Sequence, residues 1–109
     1  MSVVGDVAWN AAKAQLLREG YLEVGDFRVE LTLDNTFLDF EYVPRVAVYH
    51  GKRGWYVVRN PIPKGERLDE CWENAVSFLE KVVRGEVIPD LGEEEVSREF
   101  AEALRSTLL

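Results

Sequence analysis

The chain is nearly bare of the side chains that build metal, redox or covalent chemistry. Its 109 residues hold one cysteine, Cys71, and one histidine, His50. A single cysteine forms no internal disulfide and no cysteine-cluster metal site. No glycine-rich phosphate loop, nucleophile elbow or zinc-ligand spacing occurs, so neither an enzyme nor a cofactor is expected. Long apolar runs are missing too, and none approaches the roughly 20 residues that span a bilayer. The opening MSVVGDVAW lacks the basic start and apolar stretch of a signal peptide. A soluble cytoplasmic protein with no membrane partner is expected. Glutamine and methionine occur once each while glutamate and arginine are frequent, a thermophile tendency.

What remains is ordinary globular material, 47% hydrophobic and 30% charged, with a formal net charge of −7. The length fits one domain, residues 1–109. No repeat or low-complexity segment appears. Asp6 can cap a first helix over Val7–Glu19, with Trp9, Ala12 and Leu16 at helical spacing and Gly20 as its stop. Phe27–Asp34 alternates strictly, placing Phe27, Val29, Leu31 and Leu33 on one face of a half-buried strand. Tyr21–Val24 pairs with it across the turn signal Gly25-Asp26. Asp34-Asn35 reads as a further turn, Thr36–Val43 as the next strand, and Pro44 as its edge or break. Val46–His50 and Trp55–Arg59 form a hairpin around Gly51-Lys52-Arg53-Gly54.

Two helices should follow. One covers Arg67–Arg84, with a stripe of Leu68, Cys71 or Trp72, Ala75, Leu79 and Val82. The other runs from Glu93 with the stripe Val96, Phe100, Ala103, Leu104 and Leu108. Its opening Glu93-Glu94-Glu95 suits the positive end of the helix dipole. The stripe packs on its own sheet or, alternatively, serves an oligomer. The expected fold is α+β: an antiparallel sheet of hairpins with one N-terminal and two C-terminal helices.

The charge is unevenly spread. Residues 1–43 hold three basic and eight acidic side chains, and residues 68–109 hold four and eleven. Between them, residues 44–67 hold Arg45, Lys52, Arg53, Arg59, Lys64 and Arg67 against Glu66 alone. Screening over about 8 Å lets such a patch act locally. Tyr49, Trp55 and Tyr56 are interleaved with these cations. With a four-residue loop, His50 pairs with Trp55, Val48 with Val57 and Val46 with Arg59. Trp55, His50 and Arg59 then share one face, and Tyr49 and Tyr56 the other.

Cations neutralise phosphates and rings stack on unpaired bases, so this mixture suits single-stranded nucleic acid. Duplex readers present a basic helix, and the helices here are acidic. The candidate site is Tyr49, Trp55 and Tyr56 for stacking, with Lys52, Arg53, Arg59, Lys64 and Arg67 for the backbone. The alternatives are an ordinary hairpin surface, or a protein-interaction module or accessory subunit that grips an acidic partner. His50 has no visible nucleophile or second acid and reads as a surface group. Cys71, beside Trp72 on an apolar stripe, reads as core. Asp39 and Glu41 alternate on one strand as a nuclease pair would. The lysine such a site adds on the next strand is absent from Val46–His50, so they read as a solvated face.

The order of helix, hairpins and trailing helices, with YHGKRGWYVVRNP (Tyr49–Pro61), resembles the ThermoDBP-related proteins. These are single-stranded DNA-binding proteins of hyperthermophilic archaea that do not use the OB-fold. The resemblance spans most of the chain at the level of architecture. It implies sequence-independent binding of single strands in an aromatic and basic cleft, assembled by homo-oligomers. It implies stacking for Tyr49, Trp55 and Tyr56 and phosphate contact for Lys52, Arg53 and Arg59. The acidic flanks depart from that pattern.

Overall fold

The computed structural model of the chain describes residues 3–35 and 42–109. Its elements are α1 (Val3–Glu19), β1 (Tyr21–Val24), β2 (Phe27–Asn35), β3 (Tyr42–His50), β4 (Gly54–Val57), α2 (Leu68–Val83) and α3 (Glu94–Leu108). The protein is α+β, an N-terminal helix, a four-stranded antiparallel sheet in the order β1-β2-β3-β4, and two C-terminal helices.

All three helices contribute to a core on one face of the sheet. Alternation along the strands sends Leu22, Val24, Phe27, Val29, Leu31, Val46 and Val48 inward. The helices meet them with Trp9 and Leu16 from α1, Val76, Leu79 and Val82 from α2, and Phe100, Leu104 and Leu108 from α3. Burying each large side chain contributes about 1.5–3 kcal/mol. The stripe of α3 is thereby spent within the chain, Ala103 lying at its half-buried margin. Leu68 at the head of α2 stays exposed, while Cys71 is buried. The Cys71 thiol donates to the carbonyl of Tyr42 at 3.2 Å.

Three boundaries differ from expectation. The first helix starts at Val3, so Asp6 lies inside it rather than capping it. Asp34-Asn35 continues β2, opposite Val43 and Tyr42, and makes no turn there. Pro44 is neither an edge nor a break but an interior residue of β3, opposite Leu33. The Val58 amide donates to the Val46 carbonyl at 2.9 Å, so even-numbered residues of β3 direct their backbone groups toward β4. Pro44 therefore lacks its N–H on the side where β4 has already ended, and no ladder bond is lost. The part of the expected third strand at 36–41, with Asp39 and Glu41, lies outside the described residues.

The hairpin register also differs, by one residue. The Arg53 amide donates to the His50 carbonyl at 3.1 Å and closes a turn. Gly54 then enters the left-handed region, φ +94°, and re-enters the sheet opposite His50. The loop is thus three residues long, a turn followed by a left-handed glycine. The pairs are Tyr49 with Trp55, Val48 with Tyr56 and Ala47 with Val57. A one-residue slip exchanges faces: Trp55 leaves His50 and joins Tyr49, and Tyr56 turns toward the core.

Candidate nucleic-acid interface

The face of the sheet opposite the helices carries the other half of each alternation. Its side chains are Tyr21 and Glu23, then Arg28, Glu30 and Thr32, then Val43, Arg45, Ala47 and Tyr49, then Trp55 and Val57. The large ones keep contact with solvent, Trp55 at 57%, Val57 at 46% and Tyr49 at 36% exposure. Tyr49 and Trp55 stand directly opposite one another, ring centroids 5.0 Å apart and planes inclined by 47°. Neighbouring Arg28 lies over the Tyr21 ring at 4.2 Å, donates to Glu30 at 3.0 Å and sits 3.7 Å from Glu23. That arginine is locally neutralised and fixed.

The hairpin loop splits its two cations. Lys52 stands exposed at the tip, its amide donating to Nδ1 of His50 at 3.2 Å. His50 itself is buried, edge-on to Phe27 at 4.9 Å, and is a structural residue rather than the surface group expected. Arg53 turns to the helix side and pairs with Glu99 of α3 through both terminal nitrogens. This pairing raises the Arg53 pKa, and the hydrogen bond from Arg53 holds the Glu99 carboxyl below its ordinary range. Tyr56, on the same side, donates its hydroxyl to Glu93 at 2.9 Å, which raises its pKa above the usual phenol value. Tyr56 therefore packs against the core and is not on the surface with Tyr49.

Past β4 the chain is clamped to the connector between α2 and α3. The Arg59 amide donates to the Asp90 carbonyl at 2.8 Å. The Asn60 side chain donates to the Ile88 carbonyl at 3.0 Å and accepts from the Asp90 amide at 2.7 Å. The Arg59 guanidinium lies against Gly92, where a Cβ would come within 2.8 Å of its Cζ. Because β4 stops while β3 continues, a groove of about 640 Å³ opens beside the sheet edge, walled by Val43–Arg45, Trp55–Val58, Arg59–Ile62 and Leu91. Among the described residues, Arg45 and Arg59 are the charged ones along it.

Of the eight residues singled out in the sequence, Tyr49 and Trp55 meet on the outer face and Arg59 shares the groove with Trp55. Lys52 is exposed at the loop tip between the strands that carry Tyr49 and Trp55. Arg53 faces α3 instead, and Tyr56, though it lies along the groove, gives its hydroxyl to Glu93 at the start of α3. Lys64 and Arg67 lie exposed on the connector into α2, where Arg67 is 3.6 Å from Asp69. Sequence reasoning passed over Arg45, Tyr21 and Arg28 as site residues. For Arg45 the signal was present, because residues 45, 47 and 49 share a face once YVPRVAVYH is taken as one strand.

No family model, no curated protein and no solved structure matches this chain.

Proposed function

We propose that the protein binds single-stranded nucleic acid, DNA by the resemblance noted above, without sequence readout and without catalysis. The observation that carries this reading is the Tyr49–Trp55 pair, two adjacent rings exposed to solvent on the sheet face opposite the helical core. Ring faces of this kind stack on any unpaired base, at about 1–3 kcal/mol each. Lys52 beside the pair supplies phosphate attraction. The acidic helices lie behind the sheet, so their charge favours approach from the aromatic side. The stacking pair is complete within one chain, so homo-oligomers would multiply the site rather than build it.

Fluorescence anisotropy tests the reading with labelled oligo-dT and a matching duplex at low and moderate salt. Binding to the strand, weakened by salt and stronger than to duplex, is expected. No binding at low salt overturns it, and equal affinity for duplex overturns the stacking mechanism. A second reading rests on the groove, whose two arginines also suit an acidic segment of a protein partner.

A further inference from the structure

The two exposed rings begin a row that runs on across the sheet. The ladder sets Trp55 opposite Tyr49 and Tyr49 opposite Arg28, so β4, β3 and β2 each bring one flat side chain to the same line of the outer face. β1 supplies the backing, since the Arg28 guanidinium lies over the Tyr21 ring at 4.2 Å. Glu30 accepts from Nε of Arg28 at 3.0 Å, and Glu23, opposite Arg28 in the ladder, sits 3.7 Å from a terminal nitrogen. These contacts fix the plane of the guanidinium and balance its charge, while 37% of the side chain stays in solvent.

We infer that Arg28, backed by Tyr21, is a third stacking platform, and that a nucleic-acid strand crosses the sheet at right angles to its β-strands, from Trp55 over Tyr49 to Arg28. The inference rests on the single-strand reading and gives it a direction and a third base position. A guanidinium is planar and delocalised, so its face takes a base as an aromatic ring does. Its charge is already met by two carboxylates, so a phosphate gains little there and the face is what it offers. Neighbouring β-strands lie about 4.8 Å apart, wider than the roughly 3.4 Å rise of stacked bases. Bases seated one per β-strand are therefore splayed, which an unpaired strand allows and a duplex does not. Glu23 closes the row on β1, where its exposed carboxylate repels a further phosphate.

The test compares the parent with Arg28→Lys and Arg28→Gln, using dT2, dT3 and dT12 at low and moderate salt. Arg28→Lys keeps a cation for Glu23 and Glu30 and removes the plane. The expected outcome is a gain in parent affinity from dT2 to dT3, and a loss of about fivefold or more for Arg28→Lys on dT3 and dT12. The slope of log K against log salt should stay at the parent value in both variants. In NMR spectra of the parent, the Arg28 Nε–H signal, held by Glu30, should move upfield as a base ring covers it. If the parent binds dT12 while that signal stays still and Arg28→Lys binds as the parent does, the third platform is wrong and the two-ring reading stands. If the parent binds no strand at low salt, both fall together. A slope shallower by about 0.7 in Arg28→Gln would make Arg28 a phosphate contact and overturn its stacking role.

Discussion

Tyr49 and Trp55 face each other across β3 and β4 on the side of the sheet away from the helices, 5.0 Å apart between ring centres. The neighbouring pair, Val48 and Tyr56, points the other way, into the core and toward Glu93. One hairpin thus divides its rings between a wet face and a packed one. That division assigns them different tasks, since a buried ring stabilises the fold and an exposed one is available to a ligand.

Trp55→Ala should therefore cost binding and spare the fold. Losing one stacking ring corresponds to about 1–3 kcal/mol, or roughly a five- to 150-fold rise in Kd for oligo-dT. The salt slope should persist, because no cation is removed. Thermal midpoints should move little, since Trp55 is already 57% exposed. Anisotropy and circular dichroism on the same sample separate the two effects. Unchanged affinity with a collapsed midpoint would show that Trp55 is structural.

The register that creates the pair is open to a covalent test. Ala47 and Val57 are directly opposite in the ladder, and the Val58-to-Val46 bond makes theirs a non-hydrogen-bonded pair. Such pairs have Cα atoms about 4.5 Å apart, within the range a disulfide spans. Ala47→Cys with Val57→Cys should cross-link under mild oxidation, read as a loss of two thiols by mass spectrometry. Val48→Cys with Val57→Cys, opposite in a four-residue-loop hairpin, should not, because here they lie on opposite faces. Cys71 is buried and leaves the count clear.

That register marks where the sequence stops being legible. The alternation in FRVELTLD and the helical spacing in the last two segments encode face and period directly, and the sheet and helices follow. Gly51-Lys52-Arg53-Gly54 encodes a turn without saying whether Gly54 belongs to loop or strand. A left-handed φ at that glycine decides it, and the decision moves Trp55 and Tyr56 together. Pro44 misleads for a similar reason. Proline stops a strand when its missing donor is needed, and whether it is needed depends on how far β4 extends. The loop position of Arg53 suggests a phosphate contact, yet its partner, Glu99, lies 46 residues away on α3. Long-range pairing of this kind leaves no local pattern.

The Arg53–Glu99 and Tyr56–Glu93 contacts join the hairpin to α3 and give stability a pH dependence. The folded-state pKa of Glu99 is lowered from 4.5, chiefly by the hydrogen bond from Arg53. Its contribution is present above pH 4.5 and is lost as pH falls through the lower folded value. Tyr56 has the opposite sign: its pKa is raised from 10.0 by donation to Glu93, so its contribution holds below pH 10.0 and fades as pH rises through the higher folded value. Glu99→Gln should flatten the acid limb of a urea-midpoint profile, and Glu93→Ala should flatten the alkaline limb. Profiles identical to the parent at both ends would mean that neither contact persists in solution.

The two adjacent loop cations give the sharpest contrast between charge counted and charge available. Among the described residues Lys52 has no acidic partner within ion-pair distance, and it lies exposed in the loop that joins the two strands of the aromatic pair. Arg53 has its terminal nitrogens committed to Glu99, with Glu95 adding to the field around it. A phosphate would have to displace a carboxylate already seated on that guanidinium fork, so Arg53 has little left to offer a strand. Lys52→Ala should make the salt slope for oligo-dT shallower by about 0.7, one phosphate on a single strand, and leave the thermal midpoint unchanged. Arg53→Ala should do the reverse, keeping the slope while lowering the midpoint, since it frees the hairpin from α3. Equal loss of slope from both would show that strands pull Arg53 away from Glu99, and the aromatic face would then share its ligand with the helix side of the hairpin.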